Sequence, residues 1–151
     1  MPCALQEFEM NKIAIVAAAA ILAGGAYYVT QLQTSDTAAS EPKQGDPIVS
    51  VALPETLSAE ATMGKRAFDA TCADCHGTNA AGKAGFGPPL VHKIYEPSHH
   101  GDMAFVLAVQ QGARAHHWTF GDMPAQSGLT QADVKAITAY VRTLQRANGI
   151  N

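Results

Sequence analysis

The sequence predicts a helical protein, and three observations support this. Residues 134–144 carry apolar side chains at helical spacing. Two further stretches, near residues 59–70 and 103–111, also have apolar residues on one helical face, and glycine- and proline-rich segments separate them. Residues 13–29 form an apolar run without charge, and no alternation of strands and helices is recognisable.

The bulk composition excludes several classes of protein. The chain has 151 residues, the length of one domain with an apolar segment, and 15% of them are charged. Its net charge of −3 does not favour nucleic acid as a partner. Only three cysteines are present, so this is not a disulfide scaffold.

Residues 1–12 read as an N-terminal extension with an unusual charge. Glu7 and Glu9 are acidic where a signal sequence carries positive charge. A start at Met10 would place Asn11 and Lys12 directly before the apolar run, so we expect Met10 to be the native start and Cys3 to be incidental.

Residues 13–30 are predicted to be a transmembrane anchor or a signal peptide. The apolar run 13–29 would form a helix about 25 Å long, slightly short for a hydrocarbon core of about 30 Å. Tyr27 and Tyr28 suit an interfacial position, which favours an anchor. A signal peptide cut before Tyr27 is the alternative. Either way we expect the C-terminal domain to be exported.

Residues 31–57 are predicted to be a flexible linker, and residues 58–151 the folded domain. Thr56 or Ser58 can cap a first helix over residues 59–70. A glycine within a helix usually has a packing reason, so we expect another helix to approach closely at Gly64.

Irregular and helical segments alternate after the first helix. Residues 77–91 contain four glycines and two prolines and predict a loop, followed by a short helix near 92–96. Asp102 is the predicted cap of a helix over 103–111, and Gly112 its end.

The last helix has clear signals at both ends. Thr130 is its predicted N-cap, with Asp133 placed to complete a capping box. Arg142 and Arg146 suit the negative C-terminal end of the helix dipole, and Gly149 ends the helix.

The principal functional motif is Cys72-Ala73-Asp74-Cys75-His76. A Cys-x-x-Cys-His run is the attachment signature of a c-type haem: the thiols of Cys72 and Cys75 bond the porphyrin, and His76 ligates the iron. A thioredoxin-like pair or half of a zinc site are the alternatives. The first lacks its strand–helix context, and the second lacks another Cys-x-x-Cys.

Met123 is the predicted second axial ligand of the iron. It precedes Pro124 in a loop between two predicted helices, where its thioether could face the opposite side of the haem from His76. The alternative is a methionine that fills a gap in the core.

These residues together resemble the class I cytochrome c family over about residues 58–147. The family implies an all-α fold of about three to five helices around one covalently bound haem c. It also implies that the Pro88 carbonyl accepts a hydrogen bond from His76. The matching features are Gly64 with Phe68, residues 137–141 of the last helix, Cys72, Cys75, His76, residues 87–90, and Met123 with Pro124.

Trp118 and the five histidines besides His76 have several possible roles. Trp118 could pack on the macrocycle, donate its indole N–H to a propionate, or belong to the core. The histidines read as solvated loop residues, as propionate or docking partners, as a transition-metal site using both pairs, or as a distal ligand in place of Met123. They are His92, His99, His100, His116 and His117.

The resemblance implies a one-electron carrier rather than an enzyme, with redox proteins as partners and no small-molecule substrate. We expect it to work in a membrane-associated respiratory or photosynthetic-type electron transport chain, where it connects a quinol-oxidising complex with a terminal oxidase or another exported redox enzyme. It would be held to the membrane by residues 13–29, or be soluble in a periplasm-like compartment if the signal is cleaved. Two alternatives are a haem sensor or peroxidase-like protein with a displaceable Met123, and a cytochrome subunit bound permanently within a larger oxidoreductase.

Overall fold

The computed structural model describes residues 42–151. It also describes Ile21, Gly24, Gly25, Tyr27 and Tyr28. The predicted extension (1–12), the predicted anchor or signal (13–30) and the start of the predicted linker (31–41) otherwise lie outside the described residues. Across the residues that are described, no helix has the length and apolar character needed to cross a membrane. The chain divides into two compact units, Met1–Glu41 and Pro42–Asn151.

The second unit contains four α-helices and, within residues 42–151, no β-strand. This agrees with the predicted all-α class. The helices are α1 (Ala59–Thr71), α2 (Ala73–His76), α3 (Asp102–Gln111) and α4 (Gln131–Ala147), with 3-10 turns at Thr78–Ala80 and Lys93–Tyr95.

Two of the predicted helix caps are present and one differs. The Ser58 hydroxyl accepts from the Ala61 N–H at 3.1 Å and begins α1. Thr130 and Asp133 form the predicted capping box at α4. Gly101, not Asp102, is the N-cap of α3. The reason is that the Asp102 carboxylate instead accepts from Arg142 Nε at 2.8 Å.

The core lies where α1 crosses α4. A Cβ added at Gly64 would lie 1.8 Å from the carbonyl oxygen of Ala136, so only glycine allows this approach. This is the close helix packing that the sequence predicts. The rings of Phe68 and Tyr140 meet edge to face beside it, 5.7 Å between centroids. Both side chains are fully buried, so the crossing forms the centre of the hydrophobic core.

Residues 42–57 belong to the folded unit rather than to a linker. The backbone of Gly45 donates to Ala84 at 2.8 Å, and Ala84 donates back to Asp46 at 2.9 Å. The Asn148 side chain pairs with both backbone groups of Ala52, each at 2.9 Å. We call residues 42–52 the strap. The folded unit therefore begins before Ser58, the predicted boundary.

Candidate functional site

A mostly apolar cavity of about 420 Å³ opens between α1, α3 and the loops that follow α2 and α3. This volume falls within the range of small-molecule and cofactor sites. A larger groove of about 660 Å³ lies elsewhere along α4 and holds none of the predicted cofactor residues. The smaller cavity is lined by all six of them, namely Cys72, Cys75, His76, Pro88, Trp118 and Met123.

The two cysteines stand at the mouth of this cavity on the short helix α2. Cys72 is half-buried and Cys75 is exposed, and both are free thiols. Burial, with the neighbouring Cys75 as a second cause, raises the pKa of Cys72 to about 11. The Cys72 thiol is therefore protonated at neutral pH. A Cβ added at Gly87 would lie 2.7 Å from the Cys75 carbonyl oxygen, so the following loop packs tightly against the motif.

His76 is oriented by a backbone carbonyl. Its Nδ1 lies 2.9 Å from the oxygen of Pro88, which can only accept, so Nδ1 carries the proton and Nε2 is left with a free lone pair. Burial lowers the pKa of His76, an effect that this hydrogen bond partly offsets. The ring is therefore neutral and ready to act as a metal ligand at neutral pH.

The loop that supplies Pro88 is held by α4. Asn79 adopts a left-handed conformation (φ 56°), and its side-chain oxygen accepts from the Tyr140 hydroxyl at 3.1 Å. The Gly82 N–H donates to the His76 carbonyl at 2.7 Å, which closes the loop back onto the motif. The Pro88 carbonyl is thus positioned by two independent attachments.

Met123 is held by a short antiparallel pairing at the end of α3. Met123 and Ala113 exchange backbone hydrogen bonds of 2.8 and 2.9 Å. Gly112 (φ 78°) lies so close to this pair that an added Cβ would be 2.6 Å from the Met123 carbonyl oxygen. The Asp122 carboxylate accepts from the Ala115 N–H at 2.8 Å. The sequence signalled Gly112 only as a helix end and gave no signal for Asp122.

Trp118 brings a polar group to the cavity without a partner. Its indole N–H is buried and, within residues 42–151, forms no well-aligned hydrogen bond, although the Tyr95 side chain lies within weak hydrogen-bonding reach of it. The indole stacks against Phe120 and meets His92 edge to face. A buried donor without a well-aligned partner at the wall of an apolar cavity is suited to donate to an acceptor on a bound group.

Four histidines gather at the rim of the same cavity, and we call them the histidine cluster: His99, His100, His116 and His117. The Nε2 atoms of His99 and His117 are 3.2 Å apart. Three of the four, His100, His116 and His117, line the cavity. Loss of hydration and the neighbouring imidazoles lower the pKa of His117. The sequence showed two His-His pairs but not that the fold joins them.

The comparison with known families decides the identity of this domain. The sequence model of the family described as cytochrome c matches residues 61–145. The chain belongs to the cytochrome c family. As expected from the motif, it is a class I c-type cytochrome.

Two relatives of this cytochrome are described as the Cbb3-type cytochrome c oxidase subunit CcoP. The protein from Azospirillum brasilense is 36% identical over 103 residues, which cover 64% of this chain and 32% of that protein. The protein from Rhodobacter capsulatus is 30% identical over 112 residues, covering 69% and 37% respectively. The chain thus spans about a third of the length of these curated relatives. No solved structure matches it.

The residues at the cavity fit the covalent haem c that this family carries. Two free thiols lie at its mouth, a neutral His76 and Met123 line it, and the unpaired indole N–H of Trp118 can donate to a propionate. When bound, haem c supplies an iron that changes its charge by one electron.

Proposed function

We propose that this cytochrome is a one-electron carrier of a membrane-associated respiratory chain and not an enzyme. The observation that carries the proposal is that His76 and Met123 line one cavity with the two attachment cysteines. If both side chains ligate the iron, neither axial position is open to a substrate. A His/Met ligand pair also favours the ferrous state and so raises the reduction potential.

The side chains of the cavity would each have a defined part in this work. Pro88 holds His76 in the tautomer that ligates through Nε2 and increases its basicity. The pairing of Met123 with Ala113 holds the thioether in place. Cys75 is exposed, so the haem edge bonded there is the exit for electrons. The apolar walls exclude water from the rest of the site.

We further propose that the partners are redox proteins: a quinol-oxidising complex as donor and a terminal oxidase or other exported enzyme as acceptor. The apolar run 13–29 supports a membrane-anchored chain with its haem domain on the periplasmic side, or a soluble domain if the run is cleaved. Both relatives are described as oxidase subunits, which favours one alternative, a cytochrome bound permanently within an oxidase. Co-purification from detergent-solubilised membranes separates a subunit from a shuttle.

The test is the ferric absorption spectrum and reduction potential of Met123→Ala. We expect loss of the methionine–iron charge-transfer band near the red end, a lower potential, and carbon monoxide binding to the reduced variant. Met103→Ala is the matched control, because Met103 is exposed on α3. Haem staining on a denaturing gel should persist in both variants and be lost in Cys72→Ala/Cys75→Ala.

Two outcomes would contradict the proposal. A charge-transfer band that survives Met123→Ala would show that Met123 is not the ligand. Rapid carbon monoxide binding by the unmodified reduced protein would favour a haem sensor or peroxidase-like protein instead.

A further inference from the structure

We propose that His99, His100 and His117 bind one divalent transition-metal ion of the type that imidazole prefers, Zn²⁺ or Cu²⁺, at the rim of the haem cavity. This would be a second metal site, separate from the iron. It does not depend on the electron-transfer function proposed above, because its evidence is the arrangement of the histidine cluster alone.

The distances suit a single ion. One ring nitrogen from each of the three histidines lies within 4.8 Å of the others. The closest pair, Nε2 of His99 and Nε2 of His117, is 3.2 Å apart. Two nitrogens bound to one zinc at about 2.0–2.1 Å with tetrahedral angles lie about 3.3 Å apart. The observed separation is therefore that of two ligands on a common ion.

A direct hydrogen bond between His99 and His117 would explain only this one distance. It would not explain why His100 brings a third nitrogen to the same point. Three ring nitrogens that two separate segments bring together are accounted for by a shared cation.

One of the three proposed ligands, His100, has the outer hydrogen bond typical of a metal-binding histidine. Its Nδ1 donates to the carbonyl oxygen of Ile94 at 2.7 Å, so in the neutral ring Nε2 has a free lone pair. His116, which lies beside the three ligands, is held by the carbonyl oxygen of Arg114 at 2.7 Å. Metal-ligating histidines usually donate their other ring N–H to such an acceptor, which sets the tautomer and the ring orientation.

The backbone under the site is also held firmly. The Arg142 guanidinium donates to the carbonyl of His100, and its charge is balanced by Asp102. Among residues 42–151, none of the four histidines forms an ion pair with a carboxylate. The donor set is therefore imidazole nitrogen only, which suits zinc and copper rather than calcium or magnesium.

The experiment is metal titration of the full-length haem-loaded protein, produced without a polyhistidine tag. Isothermal titration calorimetry with ZnCl₂ and, separately, CuSO₄ should show one saturable site per chain, and competition between the two ions identifies the preferred one. His99→Ala and His117→Ala should each weaken binding by more than about tenfold. Nitrogen splitting in the electron paramagnetic resonance spectrum of bound Cu²⁺ should identify imidazole ligands.

His92→Asn is the matched control, since it removes a histidine outside the cluster and retains a side chain that can accept from the Ile94 N–H. It should bind the metal with unchanged affinity. If an alanine variant does not fold, His99→Gln and His117→Gln replace it. Absence of saturable binding, or equal affinity in the cluster variants and the control, would overturn the proposal.

Discussion

At the scale of single residues, three histidines are oriented in the same way, by a hydrogen bond to a backbone carbonyl. His76, His100 and His116 each lie with Nδ1 within hydrogen-bond distance of a backbone carbonyl, those of Pro88, Ile94 and Arg114 respectively. Since a carbonyl cannot donate, each ring must carry its proton on Nδ1 and leave Nε2 free. The sequence places His76 next to the cysteines, but it cannot show which carbonyls the fold brings to the other two rings.

Tyr140→Phe tests how α4 supports the loop that carries Pro88. The variant loses the hydrogen bond to Asn79, which should lower the free energy of unfolding by about 0.5–1.5 kcal/mol at pH 7. Burial raises the pKa of Tyr140 to about 12, so the folded state holds this proton more tightly than the unfolded state. The stability that the protonated Tyr140 hydroxyl contributes is complete below about pH 10, the ordinary tyrosine pKa, and is lost as pH rises towards 12.

Urea unfolding at several pH values measures this difference. The difference in the free energy of unfolding between the variant and the unmodified protein should become smaller between about pH 10 and 12. Only the unmodified protein loses stability there, because phenylalanine has no proton to lose. A difference in unfolding free energy that stays constant with pH would show that folding does not change the pKa of the Tyr140 hydroxyl.

At the scale of helices, the sequence predicted the α1–α4 crossing but not the links that hold α3. The glycine at position 64 and the apolar stripe of α4 are local signals for close packing, and the structure confirms them. Arg142 was expected to interact with the end of the helix dipole. It is instead buried, bonded to Asp102 and to the carbonyls of Tyr95 and His100. These partners are about 40 residues away, beyond any local pattern.

Arg142→Ala should therefore destabilise the fold by about 2–3 kcal/mol. The cost arises because the partly buried carbonyl of His100 loses its donor and the packing of the buried Arg142 side chain is lost, whereas the Asp102 carboxylate is exposed and can be rehydrated. Arg146→Ala is the matched control on the same helix. Arg146 is exposed and, among residues 42–151, its side chain donates to Thr143 alone, so its loss should change stability by less than about 0.5 kcal/mol. Equal effects in thermal unfolding would contradict the role of Arg142.

At the scale of the whole molecule, helical patterns in the sequence predicted the fold class, but nothing in the sequence predicted where the folded unit begins. Helix periodicity and the Cys-x-x-Cys-His run are local, so residues 59–147 could be interpreted directly. Residues 42–57 show no helix or strand period. They are held by backbone hydrogen bonds to Ala81 and Ala84 and by the side-chain amide of Asn148. Backbone bonds of this kind leave no pattern in the sequence, and a single distant asparagine is too weak a signal to predict. This is why the strap looked like a linker.

Asn148→Ala should release the strap at Ala52. The variant loses the two hydrogen bonds to Ala52 and one to the Leu144 carbonyl, for a cost of about 1–2 kcal/mol. Amide hydrogen exchange at Ala52 should become faster while exchange in α4 changes less. Asn151→Ala, at an exposed end, is the control. Unchanged exchange at Ala52 would show that the strap is held by other contacts.

The strap also determines where a force acting along the preceding chain would reach the domain. Gly45 and Asp46 pair with Ala84, in the same loop as Gly87, whose backbone contacts Cys75. A force applied to the chain at Pro42 would therefore enter the domain on the side that carries the exposed Cys75.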